Sequence, residues 1–209
     1  MTAHRVTANG DSNMHVRHSM VLAFAIAASS VQAQEAEVGR PNAEIALSND
    51  TLQLKYIAGG DVVGVDRRSQ FSGAFFLSEE RDIVLSGGLL FPADLDLGRL
   101  SILFGPQLYA ALLEEENNDV MTVSVGTELR FLLNRSLGLA IAGHAFYSPD
   151  ILTFGSADNL TDLGARVELG VAPRLIAFGG MRWFEFDLTE GGGERTLQEE
   201  LFVGFGYRF

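Results

Sequence analysis

The chain has 209 residues and carries 27 Asp and Glu against 15 Lys and Arg, a net charge of −12. That acidic excess disfavours a nucleic-acid binder, which needs a basic face to displace counterions from phosphates. The absence of cysteine excludes a disulfide framework, a thiolate metal site and a cysteine nucleophile, and a chain that is 47% hydrophobic is too apolar to stay disordered.

The first elements in chain order are those of an export leader. His15, Arg17 and His18 precede the apolar run from Met20 to Ala28, and Val31-Gln32-Ala33 closes it with small residues at the spacing of a cleavage site. Basic, apolar and small residues in that order are a secretory signal peptide, residues 1–33. The apolar run is too short for a stable membrane-spanning helix. An uncleaved anchor helix is the alternative, and either Met14 or Met20 fits as the true start. Cleavage after Ala33 leaves residues 34–209, with His144 as the remaining histidine.

From residue 43 onward the hydrophobic period is two, the signature of strands with one apolar face. Residues 51–58, 69–79 and 82–91 read as strands, with Ser-Glu-Glu-Arg-Asp at 78–82 as a turn. In 100–112, Leu100, Ile102, Phe104, Leu108, Ala110 and Leu112 share a face, opposite Ser101, Gly105, Gln107 and Tyr109. In 119–132, Met121, Val123, Val125, Leu129 and Phe131 alternate with Thr122, Ser124, Gly126, Glu128 and Arg130. Residues 137–147 form a further strand. In 162–172, Leu163, Ala165, Val167, Leu169 and Val171 alternate with Asp162, Gly164, Arg166, Glu168 and Gly170. Strands at 174–187 and 197–209 complete nine segments. Ala43–Ser48, turning at Asn49-Asp50, supplies a tenth, unless 43–58 is one bulged strand and the true number is eight. No segment after the leader is long and apolar enough for a membrane helix. The fold class is therefore all-β: a small antiparallel up-and-down transmembrane β-barrel of 8 or 10 strands at 34–209, behind a cleavable signal peptide.

Alternation alone also fits a soluble barrel with its apolar face inward. Two features choose the membrane. The polar face is rich in Gly, Ala and Ser, which suit a narrow, crowded interior, while the bulky residues suit lipid. The chain also ends with Leu201, Val203, Phe205, Tyr207 and Phe209 apolar at alternate positions, the pattern of the terminal signal that barrel-assembly machinery engages. The polar face then places Lys55, Glu128, Arg130, His144, Arg166, Glu168 and Arg182 in the lumen. There they form either an ion-pair plug or a selectivity constriction, because charges in a narrow lumen need partners. Trp183, Tyr147 and Tyr109 are expected at strand ends as interfacial aromatics. The loops at 78–82, 114–119, 148–161 and 188–196 face outward, and the tight turns at 134–136 and 172–174 face the periplasm. The acidic outward loops read as solvated turns, with calcium or magnesium bridging to lipid phosphates as the sharper alternative.

Asn49-Asp-Thr-Leu-Gln-Leu-Lys-Tyr56, Phe146-Tyr-Ser-Pro-Asp-Ile-Leu152, Gly179-Gly-Met-Arg-Trp183 and Phe205-Gly-Tyr-Arg-Phe209 carry a resemblance over nearly the whole chain. In them the sequence resembles the YfaZ family of small Gram-negative outer-membrane proteins. The resemblance implies an exported outer-membrane barrel and supplies no catalytic residues. No phosphate loop, metal-ligand spacing or dinucleotide fingerprint is present, so no cofactor is expected. The expected partners are outer-membrane lipids, lipopolysaccharide and the barrel-assembly machinery. The function read from the sequence is a structural or narrow-pore barrel without catalysis. The alternatives are a lipid-modifying enzyme built on His144, a serine and an acid, and a soluble periplasmic ligand-binding barrel.

Overall fold

A computed structural model describes residues 42–93, 95, 98–114, 118–189 and 193–209. The leader, Glu115, Glu116 and the glycines 191 and 192 lie outside the described residues. Among the described residues the strands are β1 (Asn42–Leu47), β2 (Thr51–Gly59), β3 (Gln70–Ser78), β4 (Ile83–Pro92), β5 (Leu100–Leu113), β6 (Asn118–Asn134), β7 (Leu139–Ser148), β8 (Thr153–Gly155), β9 (Ala157–Ala172), β10 (Leu175–Leu188) and β11 (Glu194–Arg208).

Each long strand pairs antiparallel with its neighbours, β1 pairs with β11 and β5 with β6, so ten strands close into a ring. The expectation of eight or ten strands thus resolves to ten, with Asn42–Leu47 as the extra strand and β8 as a short addition alongside β6. Closure follows from the physics of lipid: with no water to bond backbone groups, a spanning sheet needs every ladder paired.

The exterior is greasy. Ile45, Leu54, Leu108, Val125, Ile141, Leu163, Val167 and Phe205 are all exposed on the outer wall, and Leu201 and Val203 are 73% and 66% accessible. Inside, Glu168 is 3% accessible and Asp162 2%. A soluble barrel would reverse these faces. Thr127 is a polar residue among these apolar ones, and its hydroxyl donates to the Leu103 carbonyl at 2.8 Å, which removes the cost of facing hydrocarbon.

β1 begins and β11 ends at the same rim, which is the periplasmic one in barrels of this kind. The turns after β6 and β9 lie there and are short, as expected. The connections at 60–69 and 93–99 share that rim, however, and are longer than the 48–50 turn at the outer rim, so short turns do not mark the periplasmic end uniformly. The 60–69 segment is folded on itself. It opens with a 3-10 turn, Gly60–Val63, and Gly60 N–H donates to the Ser69 carbonyl at 2.8 Å. Asp66 accepts from the Arg68 backbone N–H at 2.8 Å. That bond, with the Arg68 guanidinium, holds its carboxyl below the usual range.

β7 is ten residues long, between β6 of seventeen and β9 of sixteen. Beyond Ser148 its place on β6 is taken by β8, where Thr122 faces Thr153 and Val120 faces Gly155. The expected loop at 148–161 is therefore largely wall: β8 and the first turns of β9 occupy it. The reversal between them needs Gly155 at φ +101°, where a Cβ would strike the Asp119 carbonyl.

Candidate functional site: the barrel lumen

Strand alternation sends every second side chain inward, and ten strands leave an interior narrow enough for those side chains to meet. They sort by height into three layers.

At the outer end the lumen is filled. Phe76 of β3, Val84 of β4, Leu113 of β5, Val120 of β6, Leu160 of β9, Phe184, Phe186 and Leu188 of β10 and Leu197 of β11 form one buried apolar cluster. Phe76 and Phe184 meet edge to face at 5.5 Å. Arg195, near the outer start of β11, bridges Asp82 and Glu80 at 2.8 Å each, and Asp82 also accepts the Glu114 N–H at 3.1 Å. Val120, the apolar residue on an otherwise polar face of β6, belongs to this cluster.

The middle layer is centred on Asp162. Arg182 donates to both its oxygens at 2.8 Å, the Tyr109 hydroxyl donates at 2.8 Å, and His144 Nε2–H donates at 3.0 Å. The Arg182 guanidinium stacks over Phe184 at 4.3 Å, so one buried cation joins the polar layer to the apolar one. Tyr109 is thus no interfacial aromatic. It is 1% accessible, on the inward parity of β5, and corrects that expectation. Tyr147 and Trp183 do lie on the exterior. Trp183 Nε1–H reaches Glu199 at 3.2 Å, where the outer wall changes from Met181 and Leu201 to Glu185 and Glu199. An amphipathic ring suits that boundary.

The third layer is ionic. Lys55 Nζ meets Glu128 at 2.9 Å, and Gln70 donates to the other Glu128 oxygen at 2.7 Å. Arg130 Nε donates to Glu168 at 2.8 Å. Arg166 reaches the same Glu168 at 2.8 Å and spans Glu44 at 2.7 and 3.1 Å. Below and beside these groups lies a cavity of about 370 Å³, reaching Arg174, Arg208 and Phe209 at the periplasmic rim.

All seven lumen residues expected from the sequence (Lys55, Glu128, Arg130, His144, Arg166, Glu168 and Arg182) line this cavity. Glu44 and Asp162, their two further carboxylates, were not singled out. Asp162 shares the parity of Arg166 and Glu168 on one strand, a signal that was available. Glu44 lies on β1, whose existence the sequence left open. The glycines of the inner face make room for rings: a Cβ on Gly164 would run into His144, and one on Gly126 into Phe146.

A family model described as YfaZ precursor matches residues 14–209. Among solved structures, a bacterial polysaccharide outer membrane secretin aligns at TM-score 0.48 and 17% identity over 76% of this chain and 56% of that one. The outer membrane channel DcaP of Acinetobacter baumannii aligns at TM-score 0.37 and 10% identity over 79% and 54%. The chain spans a little over half the length of either structure. No curated protein matches it. A match that runs from the leader to the last strand places the chain: it belongs to the YfaZ precursor family.

Proposed function

We propose that this exported outer-membrane barrel is a non-catalytic envelope protein, plugged at its outer end and open only toward the periplasm. The single observation that carries the reading is the apolar cluster around Phe76, Phe184 and Phe186, sealed above by Arg195 on Asp82. A hydrated ion crossing the lumen would have to displace packed aromatic rings. The paired charges beneath act as wall-to-wall struts, since each carboxylate among Glu44, Glu128, Asp162 and Glu168 already holds a cation.

The arrangement around His144 favours the non-catalytic reading over a lipid-modifying enzyme. Nucleophilic catalysis needs a hydroxyl or thiol within reach of the base. The His144 hydrogen bond goes to Asp162, which Arg182 and Tyr109 already hold. The Ser148 hydroxyl donates instead to the Val123 carbonyl at 2.9 Å.

The expected result in planar bilayers is no conductance steps above leak for the folded protein. Steps should appear when Phe76, Phe184 and Phe186 are all changed to Ala. Steady single-channel steps from the unaltered protein would refute the plugged reading. The proposal includes a leader removed after Ala33 and an assembly signal at Leu201, Val203, Phe205, Tyr207 and Phe209. Protein extracted from outer membranes should then begin at Gln34, and deletion of Phe209 should lower the yield of heat-modifiable barrel.

A further inference from the structure

Charge is not evenly distributed through the lumen. Arg182 with Asp162 in the middle layer and Lys55 with Glu128 in the ionic layer are matched one to one. Nearer the periplasmic rim the described lining of the cavity includes four arginines, Arg130, Arg166, Arg174 and Arg208, and two carboxylates, Glu44 and Glu168. Among the described residues cations thus outnumber anions in this part of the lumen, in a chain of net charge −12.

The bonding pattern shows which cations have capacity left. Arg166 is saturated by Glu44 and Glu168. Arg130 must share Glu168 with it and uses only its Nε. Among the described residues its two terminal nitrogens make no hydrogen bond, and 27% of its side chain is accessible. Arg174 stands in the turn between β9 and β10 and lines the cavity, and among the described residues it pairs with no carboxylate. A guanidinium presents donors in a planar fork that matches carboxylate or phosphate oxygens two at a time. A cleft with low-dielectric walls and a surplus of one sign concentrates the opposite ion.

The same cavity also offers uncharged polar groups. The side chains of Gln53, Ser72, Ser86, Ser101 and Gln107 line the cavity, and Ser101 is the cross-strand partner of Arg130. A volume of about 370 Å³ lies within the range of small-molecule sites.

We propose that the periplasmic half of the lumen binds a small oxyanion-bearing solute, with Arg130 and Arg174 taking the carboxylate or phosphate group and the amide and hydroxyl wall taking the polar remainder. The site rests on the plugged reading only for the side from which the solute enters.

The test is calorimetric titration of the full-length barrel in detergent micelles with citrate, with inorganic phosphate and with glycerol as a neutral control. Citrate or phosphate is expected to bind saturably and more weakly as sodium chloride rises, while glycerol gives no saturable heat. Arg130→Gln and Arg174→Gln are each expected to weaken binding tenfold or more. Arg81→Gln, at the outer rim, should leave it unchanged. Arg174 lies in an exposed turn, so its variant keeps the barrel folded even if Arg130→Gln does not. Absence of saturable heat from both oxyanions, or undiminished affinity in the Arg174 variant, would overturn the site and leave the plug untouched. Conductance in bilayers would overturn the plug and leave the binding site standing.

Discussion

Asp162 is the residue on which the interior turns. Its side chain is 3% accessible and has Arg182, itself 7% accessible, across a bond of 2.8 Å. A buried pair of this kind is close to neutral compared with apolar residues of the same shape, but removing one partner strands the other charge away from water. Asp162→Ala is therefore expected to cost about 3–5 kcal/mol, measured by urea unfolding in lipid vesicles. The double variant Asp162→Leu with Arg182→Met should recover most of that loss. If the single and double variants unfold alike, the pair is not what holds the middle layer. The sequence placed Asp162 on the face of Arg166 and Glu168 but did not show its partners. Its weight comes from three partners on β5, β7 and β10, at sequence distances of 53, 18 and 20 residues.

At the scale of elements, the feature that needed the structure is the interrupted seventh strand. Pro149 cannot donate to a ladder and ends β7 at Ser148. That leaves the outer part of β6 in need of a partner, which β8 supplies. A cluster of hydroxyls fastens it. Thr122 Oγ1 donates to Ser148 Oγ and lies 3.0 Å from Thr153 Oγ1 and 3.2 Å from the Leu152 carbonyl oxygen. Thr153 in turn donates to the Pro149 carbonyl at 3.2 Å. The Tyr147-Ser-Pro-Asp segment thus acquires a structural role: it carries the wall across a gap. Thr122→Val should leave buried hydroxyls short of partners at a cost of about 1–3 kcal/mol. Hydrogen exchange should rise at 149–156 while the other ladders stay protected. Uniform loss of protection around the ring would contradict a local fastening.

For the whole molecule the decisive fact is which solvent touches which face. Val203 faces outward among Leu201 and Phe205, whereas Thr196 faces outward beyond the acidic change at Glu199. A charge is expensive only where hydrocarbon surrounds it. Val203→Arg should destabilise by about 2–4 kcal/mol and Thr196→Arg by close to none, read from the same vesicle unfolding. Equal effects at the two positions would mean that lipid does not wrap the barrel at the level of Val203.

The alternation of Leu163, Val167 and Val171 against Arg166 and Glu168 was enough by itself to determine strands and their two faces. Side chains on a strand point in opposite directions at a period of two, whatever lies beyond them. The outer membrane was an expectation from the leader pattern and the alternating apolar stretch of 201–209, and it is the family match that supports it. Only the tertiary structure decided that there are ten strands, that Tyr109 is buried on Asp162 and that the outer end of the lumen is filled. Those outcomes depend on which inward residues from distant strands reach the same height. Register and tilt around the closed ring set that height, and no local pattern records it.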